Sequence, residues 1–124
     1  MHRALLPAAI VVAAAATLLT AAPARAQYGA IAYDPGTHRD AWTFNHRTPR
    51  GAEEDALRRC GSGGCRIVLR IGPGMCGALA TEERGTAWGS ADRQRREEAR
   101  LAAVENCRRR SSTPCVVRVT DCNR

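Results

Sequence analysis

The tripeptide His38-Arg39-Asp40 sets an imidazole two residues from a carboxylate, and a second imidazole, His46, follows shortly after. An imidazole oriented by a carboxylate can act as a general base near neutral pH. A small hydrolase built on this chain would therefore depend on His38, Asp40 and His46. The triplet also resembles the heart of a kinase catalytic loop, but no glycine-rich phosphate loop or other kinase element accompanies it. A solvated turn histidine followed by an aspartate entering a strand accounts for the same letters. His46 shares a strand face with Trp42 and Phe44 by period two, and reads as a packed edge residue.

Two further clusters invite chemistry. The stretch Cys60-Gly61-Ser62-Gly63-Gly64-Cys65 has the glycine content of a phosphate cradle. It follows a helical pattern instead of preceding one and lacks a Lys-Ser/Thr pair, so it reads as a disulfide-closed turn needing positive φ. Arginines 93, 95, 96 and 100 could track a polyanion. Arg93–Glu97 and Glu105–Arg109 are spaced as i,i+4 pairs, which favours a solvated, salt-laced helix face. No catalytic residue, metal ligand or cofactor is assigned on these grounds.

The elements that must position these residues are written twice. Gly29-Ala30-Ile31-Ala32 matches Gly77-Ala78-Leu79-Ala80, and Trp42 matches Trp88. AEEDALRRC (52–60) matches ARLAAVENC (99–107), and Cys65 with RIVLRI matches Cys115 with VVRVT. One register holds throughout, so the spacing predicts a duplicated strand–strand–helix–strand unit, repeat one at 28–75 and repeat two at 76–124. In the first, strands are expected over Tyr28 to Asp34 and Ala41 to His46, around a type II turn centred on Pro35-Gly36. Thr48 is the expected N-cap of the helix and Pro49 its first residue. In the second, Asp92 is the expected N-cap of a helix running to about Arg109. The resulting class is α+β: two pseudo-symmetric ββαβ repeats forming a mostly antiparallel sheet, with both helices packed on one face. Trp42, Trp88, Ile31, Leu57 and Val104 are the expected apolar filling, with alanines allowing close helix–sheet approach.

Six cysteines admit 15 pairings, and the repeat selects among them. Cys60 and Cys107 end equivalent helices while Cys65 and Cys115 begin equivalent strands, giving Cys60–Cys65 and Cys107–Cys115. Cys76, standing where the first repeat has Tyr28, is left to pair with Cys122. Zinc is the rival reading, weakened by the absence of Cys-x2-Cys spacing.

Residues 1–26 read as a signal peptide: a basic start, an alanine-rich apolar run and Ala24-Arg25-Ala26 as cleavage signal. Residues 27–124 are then one exported domain, for which disulfides suit the oxidising compartment. All 19 basic residues are arginine, against 12 acids, a net charge of +7 that favours encounter with anionic partners.

The paired YGAIAYD…W and CGALA…W blocks, each followed by an alanine-rich helix ending in cysteine, resemble the bacterial secreted family called domain of unknown function 4189. The resemblance covers essentially all of residues 27–124, although TAWGSADRQ is leaner in aromatics than that family leads one to expect. It implies an exported or periplasmic domain with no catalytic residues to carry over. The first repeat holds four of the five aromatics of the chain and both histidines outside the leader. Tyr33, His38, Trp42, Phe44 and His46 are therefore the candidate binding residues. The function expected first is a non-catalytic binding or interaction module of the bacterial envelope, periplasmic or secreted. An arginine-rich polyanion or envelope-surface binder ranks second and a small hydrolase last. The expected partner is an envelope protein or an anionic surface component, with no nucleic acid, no cofactor, and no transmembrane helix after signal cleavage.

Overall fold

A computed structural model describes residue 1, residues 4–19 and residues 25–124. The order of elements is β1 (Tyr28–Asp34), β2 (Arg39–His46), α1 (Pro49–Cys60), β3 (Arg66–Ile71), β4 (Cys76–Glu82), β5 (Trp88–Arg93), α2 (Arg96–Arg108) and β6 (Cys115–Cys122). Each half is thus a ββαβ unit, and the α+β class expected from the repeat is what the chain adopts. Residues 4–19 carry neither helix nor strand, and their Leu5, Leu6, Ile10, Val11, Val12, Leu18 and Leu19 side chains lie in solvent. Ala24 of the expected cleavage signal and the basic start His2-Arg3 lie outside the described residues.

The strands divide into two three-stranded antiparallel sheets, ordered β2-β1-β3 and β5-β4-β6, where the sequence pattern had suggested one. The reason lies in the two central strands. YGAIAYD and CGALATE are buried along nearly their whole length, so both faces of each sheet must be covered. On one face Ala30, Ala32 and Ala41 pack on Ala52, Ala56 and Cys60 of α1. Likewise Cys76, Ala78, Ala80 and Ala91 pack on Ala99, Ala103 and Cys107 of α2. On the other face Ile31, Tyr33, Ile71, Leu79 and Val119 meet between the sheets, joined by Phe44, Leu69 and Trp88. The layers therefore run α1, first sheet, second sheet, α2. Both helices packing on one face is corrected accordingly: each covers the outer face of its own sheet.

The alanine stripes explain why Leu57, expected in the core, is 38% exposed. A stripe at i, i+4 and i+8 brings the helix backbone close to the sheet, and Leu57 stands one residue, about 100°, off that line. Two other local expectations are corrected. Asp92 does not cap α2 but lies in β5 opposite Gly77, because ladder pairing continues to Arg93; Arg95 takes the N-cap position, with no side-chain cap. At the first hairpin the left-handed residue is His38 (φ 59), not Gly36. Asp34 shapes that turn instead, its Oδ1 accepting from the Gly36 amide (2.9 Å) and its Oδ2 from the Thr37 hydroxyl (2.9 Å). Helix α1 begins as expected, with Thr48 Oγ1 accepting from the Gly51 amide, and Gly61 closes it at φ 72.

Disulfides join Cys60 to Cys65, Cys107 to Cys115, and Cys76 to Cys122. The first two tie each helix end to the start of the next strand. The third is cross-strand, since Cys76 and Cys122 are register partners on β4 and β6. Both repeats carry an irregularity at the same point, Ile31/Ala32 in one and Leu79/Ala80 in the other. Only the first has an extra one, between Tyr28 and Ala30 opposite β2, where Asn45 takes φ 62.

That bulge receives the end of the chain. Asn123, buried, donates its amide to the Ile71 and Gly72 carbonyls (3.1 and 2.8 Å) and accepts from the Asn45 amide (3.0 Å). Its own backbone N–H donates to the Met75 carbonyl (2.9 Å), and Asn45 Oδ1 accepts in return from Arg124 N (2.7 Å). One side chain of repeat two thus satisfies three backbone groups of repeat one and its linker. Asn123→Ala leaves them without partners, at an expected cost of about 2 kcal/mol; the shift in urea midpoint at unchanged slope measures it.

Asp34 also links the first hairpin to the Cys60–Cys65 turn, because its Oδ2 accepts from the Ser62 hydroxyl (2.5 Å). That bond, followed by those from Thr37 and Gly36, holds the Asp34 carboxyl below the usual aspartate range, against the opposing effect of burial. A carboxyl with a lowered folded-state pKa contributes stability that is present above its unfolded value, about 4, and fades as the pH falls through the folded value. Urea midpoints measured on descending pH should therefore fall less steeply below about pH 4 in Ser62→Ala than in the parent chain.

Candidate functional site

The five candidate residues of the first repeat part company in the fold. Tyr33 is 1% exposed and Phe44 half-buried, both in the layer between the sheets. Burial raises the Tyr33 phenol above its ordinary pKa, opposed by Arg118. Thr81 eases the phenol from across the interface without reaching sound hydrogen-bond geometry, so the Tyr33 oxygen has no partner among the described residues. His38 sits in the exposed hairpin turn. His46 lies at the far end of β2, where its Nε2 meets Asp55 Oδ2 of α1 at 3.2 Å. Only Trp42, 43% exposed, presents a large aromatic surface to solvent.

The triplet around His38 does not assemble as a base with its orienting acid. Arg118 of β6 takes Asp40, placing Nε and Nη2 at 3.0 and 2.7 Å from one carboxylate oxygen. This pair bridges the two sheets at the β2–β6 seam, so Asp40 serves the sandwich. His46 is likewise one member of a larger group. Burial works to raise the Asp55 pKa, yet Arg59, the His46 hydrogen bond and Arg58 together hold it below the aspartate range. Arg58 and Arg59 reach Asp55 at 2.5 and 3.1 Å. The group fastens the last turn of α1 to the end of β2, and Asp55 stays an anion at neutral pH.

The arginine face of α2 is salt-laced. Arg95 pairs with Glu98 (3.4 Å), Arg96 with Asp121 (3.3 Å), Arg100 with Glu97, and Arg109 with Glu105 (3.6 Å). Arg93, whose expected partner was Glu97, instead donates to the Asp92 carbonyl (2.7 Å).

What remains accessible includes recesses beside the two tryptophans. At one, Trp42 stands over a recess of about 280 Å³ with Asp40, Ala41 and Arg59. At the other, Trp88 packs beside β3. The expected match of Trp88 to Trp42 is corrected, since Trp88 pairs with Thr81 as Asp40 does with Tyr33. The place of Trp42 is taken by Ser90, whose Oγ donates to the Val68 carbonyl (2.9 Å). Arg110 lies over the Trp88 ring, 5.6 Å from its centre. Sequence reasoning left Trp88 to the fold because it matched this residue to Trp42. A signal was present: neither Arg66 nor Arg110 has a carboxylate three or four residues away, unlike most arginines of α2.

A family model matches residues 28–122, from the first residue of β1 to the last of β6. The chain belongs to the family described as Domain of unknown function (DUF4189). The DUF4189 match therefore takes in both ββαβ units and all six cysteines. Curated relatives include an uncharacterized protein of Mycobacterium bovis and uncharacterized proteins from two strains of Mycobacterium tuberculosis. Each is 48% identical over 54 residues, which cover 43% of this chain and 35% of the relative. The chain thus spans about a third of the length of the curated relatives it matches. No solved structure matches. Among the described residues, no group of three or more His, Cys, Asp or Glu could hold a metal ion, and no helix is long and apolar enough to cross a membrane.

Proposed function

We propose that this DUF4189 domain is a non-catalytic binding module of the bacterial envelope, exported through a leader ending at Ala26 and periplasmic or secreted. The observation that carries the reading is Trp42. Its indole is 43% exposed on a strand whose other aromatic, Phe44, turns into the core. A large aromatic held half in solvent on a rigid, disulfide-stapled sheet is the kind of anchor that protein interfaces favour, since its rotamer is fixed before binding. His38 belongs to the exposed turn that precedes the same strand, and Arg59, paired with Asp55, lines the recess beside Trp42.

Two features support binding over catalysis. Asp40 is engaged by Arg118, and His46 by Asp55, so these two candidates already serve the fold. Three disulfides fit a protein working in an oxidising compartment. Affinity capture from envelope extract on immobilised wild-type and Trp42→Ala protein tests the reading. A component retained by the first and lost from the second is expected. Identical retention on both columns, or none on either, overturns it.

A further inference from the structure

Two clefts share Trp88 as a common wall. The larger, about 600 Å³, is polar: Arg109, Arg110, Ser111 and Ser112 face Trp88 and Glu82 across it. The smaller, about 370 Å³, is mainly apolar, with Tyr33, Pro35, Ile67 and Val68 opposite the same ring and Arg66 at its margin. Clefts of this size hold small molecules. Arg110 is already drawn over the indole, an arrangement that fixes a guanidinium without neutralising it. Neither Arg66 nor Arg110 makes an ion pair among the described residues, in a chain where most helix arginines do. Glu82, the one acid present, has its carboxylate accepting from the Ser112 amide (3.3 Å). Its charge limits the site to a ligand with a single anionic group placed on the Arg110 side.

We propose that the Trp88 cleft binds a small amphiphilic anion: an aromatic or short aliphatic body bearing one carboxylate, sulfate or phosphate. The body lies against Trp88 in the larger cleft, and the anion rests on Arg110, where the guanidinium offers paired donors to a planar or tetrahedral oxyanion. The Trp42 recess cannot take this ligand in the same way, because Asp40 lines it and its arginine, Arg59, is paired with Asp55. The site is therefore independent of the surface on which the envelope-module reading rests.

Trp42→Phe leaves Trp88 as the sole tryptophan and so as a reporter. In that oxidised protein, 3-phenylpropanoate should change Trp88 emission saturably at millimolar concentrations. The neutral 3-phenylpropan-1-ol should bind about tenfold more weakly. Arg110→Gln, an exposed change, should cost the carboxylate about tenfold while sparing the alcohol. Calorimetry of the wild-type chain gives the same comparison without the reporter substitution. Absence of saturable binding, equal affinity for acid and alcohol, or indifference to Arg110→Gln overturns the proposal.

Discussion

Replacing Cys76 and Cys122 together by serine is expected to destabilise the domain by about 4 kcal/mol, more than removal of either helix-end disulfide. The bond closes a loop across 46 positions, against 5 and 8 for the other two. On the loop-entropy account the short loops contribute about 2 to 3 kcal/mol each. The long one restrains the whole of repeat two, from the first strand of that unit to the last. It also sets Asn123, its immediate neighbour, in the bulge of repeat one. Loss of the bond should therefore loosen contact between the units as well as the second unit itself. Denaturant unfolding of the double-serine variant beside the Cys60/Cys65 double-serine variant checks the ranking. Equal midpoints would refute it.

Gly89→Ala is the single substitution expected to do most damage. A methyl there would meet the Cys107 amide nitrogen, and lie 2.6 Å from the Ala103 carbonyl oxygen and 2.7 Å from the Asn106 carbonyl carbon. These are backbone atoms of α2 and cannot rotate away, so the whole helix must lift from β5. Overpacking of this kind costs about 3 kcal/mol, the upper end of its usual range. The first repeat shows that the position can otherwise hold a side chain. Ala41 occupies the equivalent place, pairing with Ala32 as Gly89 pairs with Ala80, and Thr43 two residues on donates its hydroxyl to the Ala52 carbonyl (2.8 Å). An alanine scan read by thermal unfolding should find Gly89→Ala far more harmful than Thr43→Ala.

The repeat made much of this fold legible. Similar spacing of glycine, alanine and cysteine in the two halves gave the two ββαβ units, and Thr48-Pro49 gave the start of α1. The tryptophans misled, since the registers place Trp88 opposite Thr81 and Trp42 opposite Ile31. The layer order was harder to read. A strand such as YGAIAYD, apolar on both faces, says that two partners cover it; its letters do not say that one is another sheet. Alternation hid the same point, because Ala30 and Ala32 face a helix while Ile31 and Tyr33 face a sheet, and both sets are apolar. The candidate site suffered from the same ambiguity. Tyr33, Trp42 and Phe44 are equally aromatic in sequence, yet position along and across the sandwich buries one, half-buries another and exposes the third. Asn123 offered no signal at all, since its role depends on a bulge some eighty residues earlier.

The recesses beside Trp42 and Trp88 exist only if the two sheets pack face to face with the helices outermost. Leu57 and Leu101 are both exposed on the outer sides of their helices, so keto-amino-acid spin labels at these two positions leave the disulfides untouched. Three layer spacings of about 10 Å separate the helix axes in a sandwich, which predicts a label-to-label distance of roughly 30 Å or more by pulsed electron resonance. A distribution centred near 10 to 15 Å, as for helices side by side on one sheet, would contradict the architecture and remove both recesses with it.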